Sequence, residues 1–414
     1  MNSTPQNGLH ASLPPWGNDE PASRQCWHII TSEYPPQVGG VSDYTWLVAS
    51  GLAAQGDEVH VWCPSYDAVS RQSEGVAVHS DLGHIGPQDL SRIGKQLDRF
   101  PTPRCILVQW VPHGYGYRSM NLPFCWWLRN RALRHHDRVE IMVHEPYLPF
   151  SSGSLPQNAA ALVHRIMTVL LLQAATRVWM SIPAWEKKLR PYAFGRPIPF
   201  QWLPVPSSIP CIDDAGRVQT IRERYAASGA LIGHLGTYGG PIIHMLENLL
   251  NALAGDPNTP AVLLMGKGSQ EFREAIVRKI PRLGAQVHAA GTLDAADLSC
   301  HVAACDVLLQ PYPDGVSSRR TSVMVGLSHG KPVVTNMGAL AEAFWKDTGA
   351  LALAPAPDVN AMSRLLAELT ANPSERSRVG NAARKLYQER FDISHTIEAL
   401  RKPEHTTDRL VCAS

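Results

Sequence analysis

The chain has 414 residues, 44% of them hydrophobic and 18% charged, with a formal net charge of +2. That length exceeds one ordinary core, so two domains are expected, and the near-balanced charge gives no bulk basic character of the kind nucleic-acid binding uses. Eight cysteines, at 26, 63, 105, 125, 211, 300, 305 and 412, include no C-x-x-C pair; their scatter speaks against a zinc site or a disulfide framework and for a reducing cytosol.

Residues 1–24 are polar and rich in Pro, Gly and Ser. They lack the apolar centre of a signal peptide and are expected to form a disordered leader. CWHII opens the first strand. VGGVSDYTWLVASGLAAQGDEVHVW then reads as a glycine loop, a helix ended by Gly56 and a second strand, a β-α-β unit that implies parallel pairing. CILVQWV and RVEIMVH are further buried strands, separated by the basic, aromatic helix FCWWLRNRALRHH. No apolar run approaches the roughly 20 residues of a membrane span. The nearest, IMTVLLLQAA, reads as a buried helix before the strand TRVWMS.

QWLPVPSSIP is Pro-rich and reads as a linker near residue 205. A second alternating block follows: the strand and glycine loop ALIGHLGTYGG, the helix PIIHMLENLLNALAG, the strand and turn AVLLMGKG, AQVHAAG, a helix around DAADLSCHVAA, and the strand CDVLLQPY. PDGVSSRRTSVMVGLSHGKPVVTN then runs from a turn into a helix stopped by Gly330 and a further strand, with Arg319 and Arg320 where the helix begins. Two cations at a helix N-terminus are unfavourable against the macrodipole unless an anion joins them. SRLLAELTAN and SRVGNAARKLYQERF are closing helices. The expected domains are 25–205 and 206–385, with 386–414 as a returning helix and tail. Ligands of open α/β sheets bind beyond the carboxyl ends of the strands, where the glycine loops and the arginine pair fall.

The order of GGVSDY, VHEPY, the Pro-rich hinge, GHLGTYGG, GKG and DGVSSRRTSVMVGLSHGKPVV resembles the GT-B glycosyltransferases, most nearly family 4, over roughly residues 26 to 400. The resemblance implies two Rossmann-like α/β domains facing each other across a cleft, and a nucleotide held mainly by the C-terminal one, its base by backbone near Gly291 to Leu293. It also implies sugar transfer with retention, and a final helix crossing back to the N-terminal domain. The histidine of VHEPY, His144, would touch the donor sugar. Two departures stand out. The family carries two glutamates eight positions apart before G-x-P-V-V; here those positions are Ser317 and Val325. The family's Arg and Lys in the first loop of the C-terminal domain are also missing, and that loop holds only His234.

An arginine pair gained in a facing loop suggests one diphosphate neutralised from the other side, since guanidinium geometry suits phosphate and a helix N-terminus after Ser317 and Ser318 adds N–H donors. The expected catalytic residues are therefore His144, Arg319 and Arg320. The expected donor-binding residues are Gly39, Gly40, Gly236, Thr237, Ser317, Ser318, Thr321 and Ser322, with Thr321 and Ser322 as substitutes for the lost ribose contact. Each has a plainer reading. The arginines could pair with surface carboxylates, Gly39–Gly40 could be a tight turn, and Thr237 could be an ordinary turn residue. Glu145 could face the acceptor or solvent, and Lys267 phosphate or solvent.

No D-x-D occurs, so no metal and no cofactor is expected beyond a nucleoside-diphosphate sugar as co-substrate. The expected partner is a sugar, glycan or lipid-linked acceptor. The protein is expected in the cytoplasm, with peripheral contact to the inner membrane face through the Trp126–Trp127 helix as a further option. Three rivals remain open: a non-catalytic relative that binds a partner, another GT-B chemistry such as an epimerase or phosphorylase, and, least favoured for want of a G-x-G-x-x-G, an NAD enzyme.

Overall fold

The computed structural model describes residues 24–66, 73–226, 229–254 and 260–402. The expected leader, apart from Arg24, and the tail beyond residue 402 lie outside the described residues. The chain builds two parallel sheets. The first comprises β1 (Cys26–Ile30), β2 (Glu58–Trp62), β3 (Val76–His79), β4 (Cys105–Trp110), β5 (Arg138–Val143), β6 (Ala175–Met180) and β7 (Phe200–Trp202), in the order β3-β2-β1-β4-β5-β6-β7. The second comprises β8 (Leu231–Leu235), β9 (Ala261–Met265), β10 (Val287–Gly291), β11 (Val307–Leu309), β12 (Val333–Asn336) and β13 (Ala352–Ala354), in the order β10-β9-β8-β11-β12-β13. Helices cover both faces, so central strands such as β4, β9 and β11 are apolar almost throughout. The three strands the sequence pattern did not single out, β3, β7 and β13, are all short edge strands.

Each sheet reverses its strand order once, between β1 and β4 and between β8 and β11. The crevice at such a reversal, beyond the carboxyl ends, is where this architecture takes ligands. The loops that meet there follow Ile30 and Trp110 in the first sheet, and Leu235 and Leu309 in the second.

The helix Leu155–Ala174 corrects one expectation. It sends Met167, Leu171 and Leu172 into the first core, but it is buried along one side only. Leu155 is 84% exposed, Leu162 56% and Ile166 46%, and by length and composition the helix would suffice to cross a membrane. The closing helices divide between the halves. Pro373–Arg390 places Ala383, Leu386 and Tyr387 in a core with Val323 and Leu327. Ile393–Arg401 returns to the first half, where Ile397 and Leu400 pack with Val48 and Leu52 of the Gly40–Ala54 helix. Arg401 there pairs with buried Asp57 at 3.0 Å.

The Pro-rich linker is pinned from the second half. Val205 N–H donates to the Ser318 carbonyl at 3.0 Å, and Ser207 N–H to the Tyr387 hydroxyl at 3.1 Å.

Candidate functional site

The second sheet supplies the cations. After β11 the chain turns through Asp314 and enters the helix Thr321–Ser328, whose N-cap is Arg320. The helix stops where its pattern predicts, with Gly330 in the left-handed region at φ +64°. Arg319 Nη2 lies 2.8 Å from Asp314 Oδ2, and Arg320 binds the other oxygen of the same carboxylate. Arg319 also reaches across to the first half, with Nη1 3.5 Å from Glu145 Oε1 and its guanidinium 5.5 Å from the centre of the Trp185 ring. Arg320 stacks 4.4 Å over Tyr312. Burial, and then the neighbouring Arg320, hold the Arg319 pKa below its usual value. The Nε of each arginine is buried with no partner among the described residues. So the pair does bind a carboxylate, as the plainer reading allows, but one that orients both guanidinia, stacks them on aromatic rings and leaves donors unused.

The serines beneath divide. Ser317 is fully buried, and its hydroxyl has no partner among the described residues. Ser318 joins the two halves. Its N–H donates to Glu342 at 2.9 Å, its hydroxyl lies 2.8 Å from the Ser181 carbonyl, and Trp202 Nε1 donates to it at 3.0 Å. The Ser318 N–H is thus engaged within the protein. The helix begins three residues later than the serines, so its leading N–H groups belong to Thr321 and Ser322. Thr321 is half-buried, and the Ser322 hydroxyl is 2.7 Å from that of Tyr312. Val325 is buried in the core.

At the neighbouring strand end, Gly236 N–H donates to the Met265 carbonyl at 3.1 Å, and Thr237 is exposed. Gly266, at φ +114°, crosses so closely that a Cβ there would stand 2.2 Å from the Gly236 oxygen, which holds the two loops together. Lys267 at the tip is exposed. His234 donates from Nδ1 to the Leu309 carbonyl at 2.7 Å. Its Nε2 is therefore a bare acceptor, buried and without a partner among the described residues. Burial pushes its pKa down to about 4, so it cannot replace the family's missing cations. Gln310, after β11, is also buried, and its Nε2 is unpartnered; sequence reasoning gave it no role.

The first sheet supplies acceptors. His144, just past β5, lies 2.9 Å from Gln109 Oε1 through Nε2 and packs edge-on against Tyr44 at 5.0 Å. An amide oxygen only accepts, so Nε2 carries the proton. Burial pushes the His144 pKa down to about 3, leaving a neutral ring. Glu145 faces both Arg319 and His113, the latter at 3.8 Å. Gly39 is the N-cap of the Gly40–Ala54 helix, and Glu33 fills the space a side chain at 39 would take, its Oε2 2.4 Å from that point. Burial raises the Glu33 pKa. A carboxylate beside Gly39–Gly40 suits a hydroxyl there better than a phosphate. Glu33 carries no sequence signal beyond following a first strand.

The tertiary structure therefore joins Arg319 to Glu145, beside His144, and sets Gly236 and Thr237 in the loop after β8, the strand next to β11. Gly39 and Gly40 belong to the crevice of the other sheet.

Solved structures share this architecture, and three of them serve for comparison. Sucrose-phosphate synthase from Thermosynechococcus elongatus superposes with a TM-score of 0.71 at 18% identity, over 94% of this chain and 100% of that one. HepE from Anabaena, solved with UDP and glucose, gives 0.63 at 15% identity, over 91% and 98%. The UDP-forming α,α-trehalose-phosphate synthase from Burkholderia xenovorans, solved with glucose-6-phosphate, gives 0.62 at 13% identity, over 91% and 98%. No protein-family model matches the chain, and no curated protein matches it in sequence. At these identities the likeness is one of fold. The chain has the GT-B architecture, two Rossmann-like domains each built on a parallel sheet.

Proposed function

We propose that this chain is a glycosyltransferase of the hexosyltransferase type, related to family 4, moving a sugar from a nucleoside-diphosphate sugar to an acceptor hydroxyl, with retention and without a catalytic metal. The observation that carries the reading is the Arg319–Arg320 pair, oriented by one carboxylate at a helix start and a switch point, opposite His144 and Glu145. As the glycosidic bond breaks, the leaving diphosphate gains negative charge. Fixed guanidinium donors and the N–H groups of Thr321 and Ser322 stabilise that charge without reorganising. Neutral His144 offers its free ring nitrogen to a sugar hydroxyl while Gln109 holds the other. In a retaining path the acceptor attacks from the leaving-group face and the departing phosphate takes its proton. Glu145 and Asp314 are both engaged by arginine, which argues against either as a covalent nucleophile. UDP is the first nucleotide to try, because it is bound in HepE.

The test is a thermal-shift panel with UDP, GDP, ADP and TDP on the native chain and on the Arg319→Ala/Arg320→Ala variant. A ligand that binds only the folded state raises the melting temperature. Stabilisation by one nucleotide, lost in a variant that still folds, is the expected result. No shift with any nucleotide at millimolar concentration would transfer the assignment to a non-catalytic relative, the reading that the replaced glutamates at 317 and 325 favour.

A lipid-linked acceptor, met at the cytoplasmic membrane face, is favoured by a second observation. Leu155, Leu162 and Ile166 stand exposed on one helix and Trp126 and Leu133 on the adjacent one. Arg129 ties the helices together through Gln173 at 2.6 Å. An apolar stripe with arginines beside it is what interfacial docking uses. Co-flotation with anionic but not neutral vesicles, weakened in Leu162→Asp, is expected; no flotation with anionic vesicles, or equal flotation of the native chain and the variant, would remove this reading.

A further inference from the structure

The amino ends of β1 and β2 lie at the far end of the first sheet from the cleft. Their register sets Cys26 beside Glu58 and His28 beside His60. Alternate residues share a face, so all four side chains stand on the same side of the sheet. His60 is buried between two polar partners, with Nε2 3.0 Å from Glu58 Oε1 and Nδ1 3.0 Å from His79 Nε2. His28 stacks on it with ring centres 5.2 Å apart. Cys26 Sγ lies 3.8 Å from His28 Nε2. One donor atom each from Cys26, Glu58 and His60 fall within 4.8 Å of one another.

A neutral imidazole has a single N–H. His60 can therefore donate to only one of its two partners; when it donates from Nδ1 to His79, its Nε2 lone pair faces the Glu58 carboxylate, an arrangement that a cation shared by the two satisfies. We propose that Cys26, Glu58 and His60 bind a zinc ion, with water in the fourth position and His79 as the positioning residue that sets the His60 tautomer. Thiolate, carboxylate and imidazole are all zinc ligands. Two anionic ligands balance the charge of the ion, and the thiol proton leaves to solvent on binding. A tetrahedral site with Zn–S near 2.3 Å and Zn–N or Zn–O near 2.0–2.1 Å needs donor atoms roughly 3.3–3.6 Å apart. The observed spacings bracket that range, and Cys26 and Glu58 are both partly exposed and free to adjust. The competing contact of Glu58, Arg24 at 3.8 Å, is a surface pair of the kind that contributes little. The site was invisible in the cysteine spacing because its ligands come from neighbouring strands. It joins β1 to β2 and stands apart from the transfer chemistry proposed above.

The test uses the full chain, stripped with chelator and titrated with Co²⁺ and then Zn²⁺. One equivalent of cobalt should bind with a thiolate-to-metal charge-transfer band, zinc should displace it, and the melting temperature should rise. Cys26→Ser should abolish the band, His79→Ala should weaken metal binding by roughly ten- to a hundredfold, and Cys211→Ser, at an exposed cysteine of the other half, should change nothing. His60→Gln, checked for folding by circular dichroism, gives the same readout if Cys26→Ser does not fold. No stoichiometric cobalt binding, a band that survives Cys26→Ser or His60→Gln, or one lost in Cys211→Ser would overturn the site. The nucleotide-induced shift should be unaltered in Cys26→Ser, which separates this outcome from that of the proposed function.

Discussion

At the crevice of the first sheet the chain places Glu33, His113 and, one strand further, His144 and Glu145; at that of the second it places Arg319 and Arg320. The same architecture thus presents mostly acceptors on one side and donors on the other. The difference matches the two ends of a transfer reaction. A hydroxyl nucleophile is held by hydrogen-bond acceptors, and a departing diphosphate by fixed cations. Asp314 alone cannot neutralise two guanidinia, so the second side retains positive character after internal pairing. Glu145 bridges the sides, and a ligand phosphate would compete with it for Arg319.

The largest expected effect comes from removing the donor side. Arg319→Ala/Arg320→Ala should lower kcat/KM for sugar transfer by roughly a hundredfold or more, with the melting temperature in the absence of nucleotide little changed. Steady-state kinetics against the nucleotide sugar checks it. Equal kinetics in variant and parent would erase the contrast between the two sides.

Next comes the joint between them: Ser318 carries the contacts to Ser181 and Trp202, and Glu342 of its own half holds it. Glu342 accepts from the Ser318 N–H and, at 2.8 Å, from Trp345 Nε1. Glu342→Ala would leave both donors unpaired in a buried setting, at about 1–3 kcal/mol each. A fall of roughly 2–6 kcal/mol in unfolding free energy by urea titration is expected. An unchanged midpoint would mean that Glu342 does not hold Ser318 in place.

The smallest effect tests where the halves agree. His28 in the first and His234 in the second are buried and neutral, their pKa values pushed down to about 3 and about 4, in each case first by burial. Each is protonated below its ordinary value of 6.5 only when unfolded, so its contribution to stability is intact above pH 6.5 and is lost as pH falls toward 4. Each should contribute a slope of about 1.4 kcal/mol per pH unit in that window. Urea midpoints measured from pH 7.5 to 5 should be flat and then fall, and His234→Gln should reduce the slope. A slope unchanged in that variant would count against a buried neutral His234.

Much of the fold was legible in the chain itself. Continuous apolar runs marked the central strands because both faces of a parallel sheet are covered. Gly56 and Gly330 marked helix ends because they adopt the left-handed backbone. The edge strands β3 and β7 escaped because partly exposed strands of a few residues carry little apolar signal, and β13 because three residues, two of them alanine, are too few to set a pattern. The site was legible in part, and for the same local reason. VHEPY and SSRR are short stretches whose position after a strand is set by neighbours in sequence.

What the sequence alone determined is the alternation of strands and helices, hence the parallel sheets and the strand ends where chemistry collects, because periodicity and turn residues act over a few positions. Only the tertiary structure decided that Glu342 takes the Ser318 N–H, that Glu145 meets Arg319, that Leu155–Ala174 keeps an apolar side exposed, and that Cys26, Glu58 and His60 share one face. Those outcomes depend on register and on packing between elements distant in the chain, where burial and the pairing of polar groups, not local propensity, choose the partner.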